Sequence, residues 1–113
     1  MAINIESIRE YVLGKPSVTE GFPFGDNVIV YKLNDKMFLL LPLDTQPVQF
    51  NVKCDPEKAM ELREEYPESV LPGYHMNKKH WNTLIADGAL STKQLLQMID
   101  DSYALVNKKS GKR

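Results

Sequence analysis

The chain has 113 residues, enough for one hydrophobic core and too few for two. Its 42% hydrophobic and 26% charged shares are ordinary for a soluble globular protein, and no apolar run approaches the ~18 residues of a membrane span. The net charge of -1 argues against a surface that clings to nucleic acid all over, and the single Cys54 excludes an internal disulfide framework or a cysteine-rich zinc site.

Charged residues Glu6, Arg9 and Glu10 occupy the place of a secretory apolar segment, so a cytoplasmic protein is expected. Asn4 is placed to cap a helix running to about Leu13, with Ile5, Ile8 and Val12 as its apolar stripe. Gly14 and Pro16 stop it. Glu20 to Asp26 is rich in turn residues, and its Phe22 and Phe24 are expected to tuck into the edge of the core. Strands over 27–33 and 36–41 flank Asn34-Asp35, a hairpin signal. From 46 to 53 the pattern alternates, with Val48, Phe50 and Val52 facing the core and Gln49, Asn51 and Lys53 facing solvent. Asp55-Pro56-Glu57 opens a second helix that buries Ala59, Leu62 and Tyr66 and ends before Pro67. Val70-Leu71 reads as a brief strand and Trp81 to Ala86 as a longer one, closed by Asp87-Gly88. Ser91-Thr92-Lys93-Gln94 is a capping box that launches the longest helix, with Leu95, Ile99, Ser102, Tyr103 and Val106 inward. The main elements run α-β-β-β-α-β-α. We expect a single α+β domain over 1–113, an antiparallel sheet with helices packed on one face and a flexible basic tail at 108–113.

Charge is polarised along the chain. Asp55, Glu57, Glu61, Glu64, Glu65 and Glu68 crowd the second helix, whereas Pro72 to Thr83 carries lysines and histidines with no acid. In that segment Lys78, Lys79 and His80 suit phosphate oxygens, Asn77 and Asn82 offer amide hydrogen bonds, and Tyr74 or Trp81 offers a stacking face. Trp81 also begins an apolar run with Leu84 and Ile85, which turns its ring inward, and the amides equally suit turn backbone. His75 and His80 are five residues apart, which places them on no common helix or strand face, so no metal site is expected. Cys54 sits between a strand and a helix start, where a thiolate is stabilised; the alternative is a small buried hydrophobe. No nucleophile elbow, phosphate-binding glycine loop or dinucleotide fingerprint is present, so neither an enzyme nor a cofactor is expected.

Across almost its whole length the chain resembles the MmcQ/YjbR family of small bacterial proteins. The stretches that carry the resemblance are Phe22-Pro23-Phe24-Gly25, Val30-Tyr31-Lys32, Lys36-Met37-Phe38, Lys53-Cys54-Asp55-Pro56 and Leu62-Arg63. Its most specific parts are Pro72 to Lys78, His80-Trp81-Asn82-Thr83 and Ser102-Tyr103. The resemblance implies a two-layer sandwich similar to the CyaY/frataxin-like proteins. It also implies DNA binding through two wing-like hairpin loops, here the Asn34-Asp35-Lys36 turn and the loop around Asn77-Lys78-Lys79-His80. The nucleic-acid reading therefore rests on Lys36, Asn77, Lys78, Lys79, His80 and Asn82. With roughly four to six phosphate contacts, binding to DNA should be weak and should fall steeply with salt. The alternative is a non-enzymatic interaction or small-molecule-binding module, with His75, Trp81 and Tyr103 lining a pocket between the last helix and the sheet.

Overall fold

The computed structural model describes residues 3–73 and 76–107. The basic tail at 108–113 and the readings of Tyr74 and His75 fall outside the described residues. The elements are α1 (Ile5–Leu13), β1 (Val18–Gly21), β2 (Val28–Leu33), β3 (Lys36–Pro42), β4 (Gln49–Lys53), α2 (Pro56–Glu65), β5 (Val70–Pro72), β6 (Trp81–Ile85) and α3 (Thr92–Asn107). The strands form one antiparallel sheet in the order β1-β2-β3-β4-β6-β5. This is the expected α+β architecture with one strand more. β1 lies partly in the stretch read as turn, because four residues without alternation carry no strand signal until β2 supplies their hydrogen bonds.

Helix starts follow the local chemistry. Asn4 and Ser7 form a reciprocal capping box on α1, and Ser91 with Gln94 does the same for α3. Pro56 begins α2, but the side chain of Asp55 makes no capping bond.

One side of the sheet carries the main core. Ile8 and Val12 from α1 and Leu95, Ile99 and Val106 from α3 close over Tyr31, Leu33, Leu41, Phe50, Val52 and Leu84. The strand period of two fails at one place. Tyr31 pairs with Leu39 and Lys32 with Met37, so Phe38 is the extra residue of a β-bulge, and Phe38 and Leu39 both reach the helix side. The Ser102 hydroxyl donates to the freed Phe38 carbonyl and accepts from the Lys53 amide at 2.9 Å, stitching α3 to β3 and β4.

The opposite side has a second, smaller cluster of Val30, Leu40 and Trp81, bordered by Val28, Met37 and Met76. Two expectations fail for stated reasons. Asn51 is buried rather than solvent-facing, because β4 is a central strand and Asn51 accepts a hydrogen bond from Thr83 across to β6. Phe22 and Phe24 are 49% and 61% exposed, because they lie in the β1–β2 connection, past the end of both strands.

Candidate nucleic-acid interface and interhelical cleft

The strand register decides which functional residues share an end of the sheet. One row runs Glu20, Tyr31, Leu39, Val52, Asn82, Pro72 across all six strands. From that row the chain runs in one direction to the β2–β3 turn at Asn34-Asp35, to Lys53 on β4 and to Trp81 at the start of β6. The turn bearing Lys36 and the segment bearing Lys78, Lys79 and His80 therefore project from the same end. Between Lys36 at the start of β3 and the start of β6 lie two strand spacings, or ~10 Å. That span is comparable to the ~12 Å width of the DNA major groove.

Lys36, Asn77, Lys78, Lys79 and His80 are all exposed. Among the described residues the ion pairs are Arg9–Glu20 and Lys15–Asp100, which leaves Lys36, Lys78 and Lys79 free to meet an outside anion. Asp35 and Asp55 are also exposed at this end, so its excess of positive charge is modest. Asn77 builds the turn: its Oδ1 accepts the Lys79 amide at 2.9 Å, and its carbonyl accepts the His80 amide at 3.1 Å. At Gly73 the loop runs so close to β6 that a Cβ would stand 2.6 Å from that of Trp81.

Asn82 leaves the phosphate-facing set. It is 1% exposed on the helix side of the sheet, where its Oδ1 accepts from Arg63 Nε at 2.7 Å. The cause is the alternation along β6, which sends Asn82 and Leu84 toward the helices and Trp81 and Thr83 away from them.

The same alternation dismantles the expected pocket of His75, Trp81 and Tyr103. Trp81 is buried as expected, but in the cluster opposite α3, with Lys53 Nζ 5.8 Å from its ring. Tyr103 stays on the helix side, edge-on to Phe38 at 5.6 Å, and its hydroxyl donates to the Pro16 carbonyl. It belongs to a polar tie between α1 and α3, in which Lys15 pairs with Asp100 beside the rings of Tyr11 and Tyr103.

Arg63 on α2 organises the basic segment from beneath. Besides Asn82, its guanidinium donates to the carbonyls of Trp81 and Lys78. Sequence reasoning missed this role; the available signal was an arginine in an otherwise acidic helix. Arg63 has only donors, so the Asn82 amide is oriented with oxygen toward it and Nδ2 away. That Nδ2 is buried with no acceptor among the described residues. An unmet buried donor costs about 1–3 kcal/mol.

Cys54 is half-buried at the mouth of the cleft between α2 and α3. Burial, and then the carboxylates of Asp101 and Asp55, push its thiol upward, so the nearby helix start does not make it a thiolate. Among the described residues no cluster of three or more His, Cys, Asp or Glu side chains is placed to hold a metal ion. No helix among them is long and apolar enough to cross a membrane.

A family model described as YjbR matches residues 13–105, a span that holds both wings and the cleft. The chain belongs to the YjbR family. It is 38% identical over 102 residues to the Escherichia coli O157:H7 protein YbdF, covering 89% of this chain and 82% of that one. It is 28% identical over 101 residues to YjbR of Escherichia coli K12, covering 89% and 85%. The crystal structure of Deinococcus radiodurans DR2400, domain DUF419, superimposes with a TM-score of 0.90 at 35% identity, covering 97% of this chain and 83% of that one. A Pseudomonas syringae crystal structure gives 0.75 at 26% identity, covering 92% and 99%. Within the YjbR family, then, this chain's Phe22 to Gly25 forms an exposed turn, and its Trp81 to Thr83 forms the start of a central strand.

Proposed function

We propose that this YjbR-family protein is a non-enzymatic nucleic-acid-binding protein. It contacts the phosphate backbone of duplex DNA weakly and without sequence preference, through Lys36 and the Lys78-Lys79-His80 segment. The observation that carries this reading is the strand register, which projects two loops with exposed lysines, unpaired among the described residues, from one end of the sheet about 10 Å apart. Stacking on single strands is disfavoured, because the one tryptophan is buried.

The three lysines imply a slope of log affinity against log salt of about -3. Fluorescence anisotropy with a labelled duplex should give that slope. Replacing both Lys78 and Lys79 with alanine should reduce its magnitude by about 2, equally for unrelated sequences. No detectable binding at ~50 mM salt, where such contacts are strongest, would end the nucleic-acid reading.

A further inference from the structure

The end of the sheet opposite the lysine loops carries two features that nucleic-acid contact does not use. Strand pairing places Val28 beside Pro42 and Gln49 beside Ile85 at that end. The β1–β2 connection leaves from it next to β2, and the β6–α3 connection leaves from it next to β4. From β2 to β4 is two strand spacings, or ~10 Å.

The first feature is a knob. The Gly25 amide closes a turn on the Phe22 carbonyl at 3.4 Å, with Pro23 inside the turn and Gly25 at a φ of 123°, where a side chain would strain the backbone. Phe22 and Phe24 stand 49% and 61% exposed on that turn, together about one whole ring's worth of apolar surface, ~200 Å². Rings held outward by a closed turn lose little freedom on docking. The second feature is a groove of about 830 Å³ walled by Ile3, Pro47, Ala86, Leu90 and Leu95. That volume takes a drug-sized molecule, so two phenyl rings fit. Asp26 is exposed next to the knob and Lys93 is exposed at the groove, and neither is in an ion pair among the described residues. Asp87, also at the groove, is occupied by the Ser69 hydroxyl and the Ala89 amide.

We propose that this end is a self-association surface on which a second copy of the chain docks, each Phe22–Phe24 turn entering the other copy's groove and each Asp26 meeting the other copy's Lys93. Knob and groove lie side by side on one end, so a two-fold axis passing between them makes both contacts at once. Opposite charges flank the knob and the groove, and the symmetric pair matches them twice. Two turns and two groove walls cover roughly 800 Å², the low end for a specific interface, so the dimer is weak and half-formed at about 10–500 µM chain. The lysine loops lie at the far end of each copy and stay uncovered.

Sedimentation equilibrium of the full chain from ~5 µM to ~1 mM should show monomer passing to dimer. Phe22→Ser with Phe24→Ser should stay monomeric across that range and keep the parent's circular dichroism, because both rings are exposed in the monomer. Lys93→Glu and Asp26→Lys should each weaken the dimer at least about fivefold, since each alone sets like charges against one another at both contacts. An equimolar mixture of those two variants should associate as the parent does, because every contact between them then pairs opposite charges. Should the double Phe variant fail to fold, the mixture carries the test by itself. A parent that remains monomeric at ~1 mM would overturn the proposal and leave the groove to a small molecule or a different protein. So would a folded double Phe variant that dimerises as strongly as the parent, or a mixture that associates no better than either variant alone.

Discussion

Tyr31 is fully buried in the row that crosses the whole sheet, beside the Arg9–Glu20 ion pair of α1 and β1, and among the described residues its hydroxyl reaches no acceptor in full hydrogen-bond geometry, with the Glu20 carboxylate close by. Burial, and then the Glu20 carboxylate, push its phenol well above the ordinary range. A phenol whose folded pKa exceeds its unfolded value contributes stability that is complete below about pH 10 and lost as the pH rises toward the folded value. Tyr11, raised by its hydrogen bond to Asp100, acts with the same sign. Urea midpoints should therefore fall above pH ~10, and Tyr31→Phe should make the fall shallower. At neutral pH the same variant should lie within about 1 kcal/mol of the parent or above it, because it removes a buried hydroxyl whose neighbouring carboxylate, Glu20, is already bonded to Arg9. A loss larger than that would mean that the hydroxyl has a partner after all. At this scale the sequence announced turn and cap residues well, since Asn4, Ser91 and Gln94 act on backbone within one helical turn. It said nothing of Arg63 with Asn82, because their meeting depends on how α2 crosses β6.

At the scale of elements, α2 is the least anchored by apolar packing. Only Ala59 is fully buried on it, and its outer face carries a row of exposed acids. Arg63 compensates by tying it to the start of β6 and to the basic segment through three acceptors. Arg63→Ala should cost about 2 kcal/mol in chemical denaturation, the range for hydrogen bonds to a charged group. It should also speed hydrogen exchange at the 77–80 amides. Unchanged exchange there would show that the Asn77 turn holds itself. Elements with strong local signals, such as the β2–β3 hairpin and the three helices, were legible in the sequence. β1 was not, because its strand character comes from β2, and neither was the bulge at Phe38, because a slip in pairing register leaves no mark on one strand alone.

At the scale of the whole molecule, the same strands hold both apolar clusters. Val30 and Leu40 face one side while Tyr31, Leu39 and Leu41 face the other, so neither cluster can melt without disrupting the sheet that supports its counterpart. Trp81 reports on the smaller cluster, and far-ultraviolet circular dichroism reports chiefly on the helices over the larger one. Their urea transitions should coincide, and a Trp81 change that precedes the helix signal would mean that the sheet's far side opens separately. By itself the sequence determined the α+β class, the caps of α1 and α3, the inward turn of Trp81 and the location of the basic segment. Each of these is written in spacing and residue type over a few positions. Only the tertiary structure decided that Lys36 and Lys78 share one end of the sheet, and that Trp81 and Tyr103 lie on opposite faces. It also decided that Asn82 points inward with an open donor beside Cys54. Those outcomes depend on strand order and register between distant segments, which set the face each side chain meets and which no local pattern specifies.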